Sequence, residues 1–265
     1  MHDGVTPAVP EPALAEAAAG IFGDALPQAE KYAELLAGVG VERGLIGPAE
    51  ADRIWERHVL NCAAVAHMLP ARGSLVDVGS GGGLPGIVLA VLMPKARVTL
   101  LEPLARRFDF LTEAVAELGL SNTEVVRARA EDLAGQVSAD VVTARAVAPL
   151  DKLAGLTLGL VRPGGRVLAI KGSSAEVELA KAGPVLARLG VTDAKVVRAA
   201  SPDGVAVATV VTFTAPARLG AAQPGGRNAG RAGGRGPNSR GGRAGQPGVP
   251  AAGRRARPNS RRGGG

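Results

Sequence analysis

A glycine-rich loop, Gly79-Ser80-Gly81-Gly82-Gly83, carries the clearest chemical signal in the sequence. Glycines at such a turn adopt backbone conformations closed to other residues and let a ligand approach the main chain closely. A helix that begins after the loop would present unpaired N–H groups and a partial positive charge to that ligand. The loop alone is compatible with a dinucleotide, with another cofactor, or with a plain tight turn.

The register of the glycines and the acid before them narrow the choice of cofactor. The dinucleotide fingerprint G-x-G-x-x-G/A needs a small third residue, and counted from Gly79 that position is Leu84. The pattern present is Asp77-x-Gly79-x-Gly81-x-Gly83. Its acid would repel a pyrophosphate but attract the ammonium and sulfonium groups of S-adenosylmethionine. The loop therefore predicts S-adenosylmethionine and disfavours a nicotinamide oxidoreductase.

Acidic residues further along the chain extend this prediction. A ribose with two free hydroxyl groups needs a carboxylate about 20 residues past the loop. Glu102 stands 19 residues beyond Gly83, although a solvent-facing Glu at the start of the next helix would look the same. After the third predicted strand, Ala130 and Glu131 lie where an adenine ring is expected, in a segment that is also an ordinary polar helix start.

The end of the fourth predicted strand narrows the choice of nucleophile for the methyl group but does not decide it. Enzymes that methylate exocyclic amines place an Asn/Asp-Pro-Pro-aromatic clamp there, whereas this chain has Thr143-Ala144-Arg145-Ala146. Pyrimidine carbon-5 methylation needs an attacking cysteine, but Cys62 precedes the sheet and is expected in the core. Guanine N7 has a lone pair and no proton, so it suits a site without a base. Arg145 is the predicted catalytic residue, bonding the guanine O6/N7 edge or the cofactor carboxylate, although a surface Arg paired with an acid would look the same in the sequence.

The elements that must position these residues follow from hydrophobic periodicity. Short β-branched runs alternate with helical stretches from Ser74 onward. This predicts an α/β fold: a seven-stranded, mostly parallel sheet with helices on both faces. Combined with the predicted S-adenosylmethionine loop, we expect a Rossmann-like class I methyltransferase fold. Predicted strands are Leu75–Val78, Val98–Leu101, Glu124–Val126, Asp140–Thr143, Val167–Ile170, 194–199 and 206–213, the last two as a hairpin. Predicted helices cover 84–93, 104–118, 148–160 and 174–188.

The chain divides into three predicted parts. Residues 1–70 form an N-terminal helical extension, with a short helix from Pro12, a second over 28–38 and a third over 49–68. Residues 71–215 form the cofactor-binding domain. Residues 216–265 are rich in Gly and Arg and poor in large apolar side chains, which is typical of disorder.

Composition bounds the class of protein. Apolar residues make up 46% of the chain, but no apolar run reaches the roughly 18 residues of a membrane span. Met1-His2-Asp3-Gly4 does not begin a signal peptide, and a single cysteine excludes a disulfide framework and a multi-cysteine metal site. We therefore expect a cytoplasmic protein without a metal or a membrane partner.

The net charge of +7 conceals a division between body and tail. Residues 216–265 carry eleven Arg and no acid, which leaves 20 basic against 24 acidic residues elsewhere, a net charge of −4. Arg-Gly segments without acids are typical low-specificity RNA binders. A solubilising tail enriched in Arg and Gly by a GC-rich genome remains the alternative.

Four segments together resemble a known family. These are Leu75–Gly86, Leu101–Arg107, Thr143–Ala146 and Trp55–Asn61, and Ala169-Ile170-Lys171-Gly172 also matches. They are similar to the bacterial 16S rRNA guanine-N7 methyltransferases, also called glucose-inhibited division protein B or RsmG, over about residues 30–213. Glu102 stands where the family often has Asp, and the Arg-Gly tail lies outside the pattern.

The resemblance implies cofactor contacts at Gly79, Leu84, Ala130, Glu131 and Arg145, and an RNA substrate in the small ribosomal subunit. It also implies that Arg57 and His58, and less directly Lys171, position the substrate. We expect a monomer. Alternatives left open are a methyltransferase for another RNA or a small molecule, and a non-catalytic RNA-binding assembly factor that keeps the fold.

Overall fold

A seven-stranded sheet organises the chain, as predicted, in a computed structural model that describes residues 11–217. In chain order the strands are β1 (Gly73–Val78), β2 (Ala96–Leu101), β3 (Thr123–Val126), β4 (Ala139–Arg145), β5 (Val161–Lys171), β6 (Lys195–Ala200) and β7 (Val207–Thr214). Their spatial order is β3-β2-β1-β4-β5-β7-β6. Neighbouring strands from β1 to β5 are parallel, whereas β7 pairs antiparallel with both β5 and β6. The predicted fold class and closing hairpin are confirmed.

Helices cover both faces of the sheet because the strands are apolar on both sides. Leu75 packs into the core of one face and Val76 into the core of the other. Such continuous apolar strands are typical of parallel sheets buried between helical layers. The N-terminal helices are α1 (Pro12–Phe22), α2 (Leu26–Leu35), α3 (Pro48–Ala51) and α4 (Asn61–Ala63); the later ones are α5 (Gly86–Leu92), α6 (Ala105–Glu117), α7 (Leu150–Leu158) and α8 (Ala175–Arg188). The N-terminal helices share the Leu75 core with α5 and α6, while α7 and α8 cover the Val76 face.

The N-terminal segment departs from prediction in one respect. The predicted continuous helix over 49–68 is wrong: after α3, residues Ile54–Leu60 form a π-helical segment, followed by α4 and a 3₁₀ turn at Ala66–Met68. The apolar residues give the reason, because Ile54 and Val59 are both buried and lie five positions apart. In a π-helix, whose backbone hydrogen bonds join residues five apart, two side chains five positions apart lie more nearly on the same side than they do in an α-helix. Helix α2 likewise ends in a π-helical turn, Leu36–Gly40.

Within residues 11–217, no helix is long and apolar enough to cross a bilayer.

Candidate active site at the carboxyl edge of the sheet

The carboxyl ends of the five parallel strands gather the predicted site residues at one edge. The glycine loop follows β1, and Glu102 directly follows β2. Ala130 begins a 3₁₀ turn shortly after β3, and Arg145 and Lys171 are the last residues of β4 and β5. Ligands of open α/β sheets bind at this edge, next to the point where the strand order reverses. Here that point lies between β1 and β4.

The glycine loop has an open outer side and a packed inner side. Gly81 has φ +57, and a Cβ there would meet nothing closer than the Gly79 carbonyl oxygen, at 3.8 Å. Gly83 has φ +96, and a Cβ there would lie 2.5 Å from Ile87 Cδ1. The left-handed conformation at both positions favours glycine. A ligand can therefore approach the backbone at Gly81, while Gly83 is held against the helix behind it.

Asp77 lies beneath this loop rather than on its open side. Its side chain is fully buried, Oδ2 accepts a hydrogen bond from the Gly86 N–H at 3.0 Å, and Oδ1 accepts from Thr143 Oγ1 at 3.1 Å. Burial raises the pKa of Asp77 to about 7, against the opposing effect of those donors. The carboxyl group thus joins β1, β4 and the start of α5, and it supports the loop from below.

Gly86 is the small residue that lets the start of α5 pack closely against the sheet. The dinucleotide fingerprint would place that residue at position 84. A Cβ on Gly86 would lie 2.2 Å from Leu100 Cδ2 and 2.7 Å from Asp77 Oδ2, so only glycine fits there. Leu84, by contrast, is half-buried at the open end of the loop. The sequence prediction did not include Gly86, although the dipeptide Pro85-Gly86 at the start of a predicted helix signals it.

Glu102 connects the end of β2 to the glycine loop. Its Oε2 accepts a hydrogen bond from the Gly81 N–H, and its Oε1 accepts one from the Leu104 N–H, both at 3.0 Å. The residue is 1% exposed. Each carboxylate oxygen retains a second lone pair, so the group can accept a hydroxyl hydrogen without losing the backbone contacts.

The turn after β3 completes the cofactor edge. Ala130 is buried and Glu131 is exposed at the first two positions of the 3₁₀ turn Ala130–Leu133. The Arg129 N–H donates to Asp132 Oδ2 at 3.3 Å, which caps this turn.

Tyr32 is a site residue that sequence reasoning missed. It is the only tyrosine in the chain, it is 1% exposed, and its hydroxyl donates to the Gly82 carbonyl oxygen at 2.8 Å. Helix α2 of the N-terminal extension therefore supports the glycine loop directly. A buried tyrosine usually has a partner for its hydroxyl, so its place on an apolar helix face was the available signal.

Arg145 is tied to the N-terminal extension by three contacts. Its Nη2 donates to the Arg57 carbonyl oxygen at 3.0 Å and to His58 Nδ1 at 2.8 Å, and its Nη1 donates to Cys62 Sγ at 3.2 Å. The next residue, Ala146, has φ +55 and is the only non-glycine residue between 11 and 217 with positive φ. A strained backbone at the end of a central strand is a common feature of functional sites.

The structure places His58 behind Arg145. Because Nδ1 accepts from Arg145, the ring proton lies on Nε2, which donates to Glu50 Oε2 at 2.9 Å. Burial and the Arg145 charge lower the pKa of His58, against the opposing effect of Glu50. The predicted substrate contact of His58 is therefore indirect in this arrangement, since both ring nitrogens are occupied and the residue is 7% exposed.

A cleft of about 1090 Å³ extends from this cluster across the ends of β4 and β5. Arg57, Arg145 and Lys171 all line it. Lys171 Nζ donates to the Ala148 carbonyl oxygen at 2.9 Å and to Glu178 Oε2 at 2.8 Å. Lys171 thus fixes the loop after β4.

Cys62 has the core position predicted for it. Its side chain is fully buried and burial raises the pKa of its thiol to about 11. A protonated, inaccessible thiol cannot attack a pyrimidine ring.

Comparison with known proteins decides the family. Residues 25–204 match the family described as GidB, rRNA small subunit methyltransferase G. The chain belongs to the GidB family. The match encloses every predicted site residue from Arg57 to Lys171, and the Arg-rich residues 216–265 lie outside it.

Relatives within the GidB family cover most of the chain. It is 52% identical over 204 residues to ribosomal RNA small subunit methyltransferase G of Thermobifida fusca, covering 77% of this chain and 86% of the relative. The protein of the same name from Mycolicibacterium smegmatis is 50% identical over 236 residues, covering 87% and 95%. Among solved structures, a SAM-dependent O-methyltransferase from Thermotoga maritima is similar over 60% of this chain and 66% of its own, with 15% identity and a TM-score of 0.48.

Proposed function

We propose that this chain transfers a methyl group from S-adenosylmethionine to N7 of a guanine in 16S rRNA of the small ribosomal subunit. The observation that carries the proposal is the open glycine loop with the Glu102 carboxylate bonded to its Gly81 N–H. Membership of a family described as rRNA small subunit methyltransferases supports the RNA substrate.

Residues at the carboxyl edge of the sheet offer groups that match the parts of S-adenosylmethionine. Glu102 would accept the ribose hydroxyls, while the backbone of Gly79 and Gly81 would contact the methionine part. Leu84, Ala130 and Glu131 would border the adenosine. Gly83 and Asp77 act through the loop, because both are packed on its inner side. The bound cofactor supplies a methyl group on a positively charged sulfonium.

Arg145 has two N–H groups left for a ligand. A guanidinium carries five N–H donors, and three are engaged by Arg57, His58 and Cys62. The two that remain, on Nε and Nη1, do not form a parallel fork. Arg145 therefore contributes single hydrogen bonds and positive charge to the cleft wall, not a bidentate contact to the guanine O6/N7 edge. The pair Glu50–His58 fixes the guanidinium in this position.

The two nitrogen bases beside the cleft, His58 and Lys171, are both engaged, which suits a nucleophile that needs no base from them. His58 is neutral and bonded at both nitrogens, and Lys171 is held by Ala148 and Glu178. Guanine N7 has a lone pair and carries no proton, so its methylation would not require any side chain of this chain to remove a proton. The protein then has only to hold N7 in line with the methyl group. Holding the reacting atoms in this geometry can by itself lower the barrier to the reaction.

The proposal includes the setting in which the enzyme works. We infer a cytoplasmic monomer organised as an extension (1–70), a methyltransferase domain (71–215) and a tail (216–265) whose eleven Arg add affinity for rRNA phosphates. Sedimentation of the purified chain tests the monomer, for which a dimer at micromolar concentration is the contrary result.

Calorimetry with S-adenosylmethionine separates the proposal from its rival classes. We expect saturable binding of one cofactor per chain, and methyl transfer to small-subunit rRNA when both are supplied. RNA binding without cofactor binding would indicate a non-catalytic assembly factor. If the chain binds the cofactor but methylates a different RNA, the assignment as a methyltransferase stands and the assignment of 16S rRNA as its substrate is wrong.

A further inference from the structure

We propose that the cleft beside Arg145 is a binding groove for an unpaired RNA strand, formed by Arg53, Arg57, Val177, Lys181 and Val205. The inference rests on the proposed function for its choice of RNA and extends it to a defined surface. These side chains come from three places: the π-helical segment with Arg53 just before it, α8, and the turn before β7. We call this surface the strand groove.

The charge of the strand groove opposes that of the body around it. Chain residues outside 216–265 carry a net charge of −4. The cleft is lined by five cations and three acids: Arg53, Arg57, Arg145, Lys171 and Lys181 against Glu56, Asp151 and Glu178. Counting also Glu50, the ion-pair partner of Arg57, the net charge is +1. A positive cleft in an acidic body concentrates field on a polyanion. Lys181 has no acidic partner among the described residues, so its ammonium is available to a phosphate.

Exposed apolar side chains distinguish the strand groove from a plain basic patch. Val177 is 73% exposed and Val205 is 38% exposed, and they are two of the three large apolar side chains exposed in the described residues. Val177 and Lys181 are four residues apart on α8, so they share one side of the helix. Val177 could therefore contact the base of a nucleotide while the Lys181 ammonium contacts the phosphate of the same nucleotide.

The two arginines present planar guanidinium groups rather than bare charges. Arg53 Nε and Nη2 both donate to the Glu56 carboxylate, at 3.0 and 2.8 Å, which fixes the plane of the guanidinium. Arg57 Nη1 lies 3.2 Å from Glu50 Oε1. Unstacked RNA bases stack on guanidinium planes, whereas duplex RNA hides its base faces. Two arginines that are held by carboxylates and are about half exposed therefore favour a single strand over a duplex.

Fluorescence anisotropy with the full chain tests the strand groove. The probe is a labelled single-stranded oligoribonucleotide of about 12 nucleotides, compared with the same sequence in a duplex. We expect Val177→Asp to weaken binding of the single strand about tenfold. We expect Lys181→Ala to weaken it several-fold and to reduce the salt slope by about 0.7, the value for one phosphate on a single strand. Duplex affinity should change less than twofold in both variants.

Matched controls exclude a general effect of charge or of helix α8. Ala187→Asp places the same acid on an exposed position of α8 outside the cleft, and Lys95→Ala removes an exposed cation at the amino end of β2. Both should bind RNA as the wild type does. Thermal melting should show all four variants folded, because each substituted side chain is exposed.

The outcomes separate this inference from the proposed function. Unchanged single-strand affinity in Val177→Asp and Lys181→Ala overturns the strand groove, as does an equal loss of duplex affinity. If either of these results is found while the wild type methylates rRNA, the proposed function stands and the strand groove is wrong. If the wild type transfers no methyl group but the variants lose single-strand affinity, the strand groove stands and the proposed function fails.

Discussion

At the scale of single residues, the site depends on acids whose oxygens are bonded to backbone N–H groups. Asp77 and Glu102 both lie below 2% exposure. Glu102 accepts from the Gly81 N–H of the glycine loop, whereas Asp77 accepts from the Gly86 N–H at the start of α5. Sequence spacing predicted both as cofactor residues. It could not show which of the two carboxyl groups bonds the loop backbone, because that depends on contacts such as Thr143 with Asp77, 66 residues apart.

Replacing Glu102 with glutamine should weaken S-adenosylmethionine binding at least tenfold. The amide nitrogen cannot accept a hydrogen bond, so either the Gly81 or the Leu104 N–H loses its partner, at a cost of about 1–3 kcal/mol in stability. Calorimetry and urea unfolding measure the two effects. Glu124→Gln, on the exposed side of β3, is the matched control and should change neither. Wild-type cofactor affinity in folded Glu102→Gln would contradict this role.

Asp77 should give stability a pH dependence that Asp77→Asn lacks. Its pKa is about 7 in the folded chain and about 3.9 when unfolded, so the folded state binds the extra proton between these values. The stabilising contribution is therefore full below about pH 4 and is lost as pH rises to about 7.

Urea unfolding of wild type and Asp77→Asn across pH 3–8 measures this difference. The wild-type free energy of unfolding, taken relative to the variant, should fall between about pH 4 and 7 and be flat outside that window. His58 is present in both proteins, so its titration cancels. Parallel profiles for the two proteins would show that Asp77 does not titrate in this range.

At the scale of elements, the N-terminal extension supports two parts of the site. Helix α2 reaches the glycine loop through Tyr32, and the π-helical segment reaches the end of β4 through Arg57 and His58. The strands and later helices were predictable because short apolar, β-branched runs alternate with helical stretches along the chain. The π-helical segment was not, because its apolar residues also fit an α-helical pattern when only the sequence is considered.

Tyr32→Phe should uncouple α2 from the loop without disturbing the core. Loss of the hydroxyl leaves the Gly82 carbonyl oxygen without its partner, so we expect stability to fall by about 1–3 kcal/mol. We also expect S-adenosylmethionine affinity to fall several-fold. Thr112→Val, which removes an exposed hydroxyl bonded only within α6, is the control. Unchanged stability and affinity in Tyr32→Phe would show that the loop does not depend on α2.

At the scale of the whole molecule, charge separates a mildly acidic body from a basic tail. The body carries the proposed cofactor site and the proposed strand groove. All eleven Arg of residues 216–265 lie at position 218 or later, outside the described residues, so the disorder predicted there stays a prediction. Composition alone predicted that division. The long-range contacts of the site, such as Arg145 with His58 across 87 residues, follow only from the folded chain.

Deleting residues 216–265 should weaken RNA binding and leave S-adenosylmethionine binding intact. If six of the arginines contact phosphates, the slope of log affinity against log salt should become less negative by roughly 4 on a single strand. A full-length variant with every tail Arg changed to Ser separates charge from length and should behave like the deletion. RNA affinity and salt slope equal to wild type in both proteins would show that the tail does not contribute.

The most direct test of the proposed activity is a mass map of N7-methylguanosine in 16S rRNA from a strain that lacks the gene. We expect one N7-methylguanosine to be missing, and purified chain with S-adenosylmethionine to restore it on small subunits from that strain. Glu102→Gln should restore it far more slowly. Retention of every N7-methylguanosine in the deletion strain would contradict the assignment of this chain to guanine-N7 methylation.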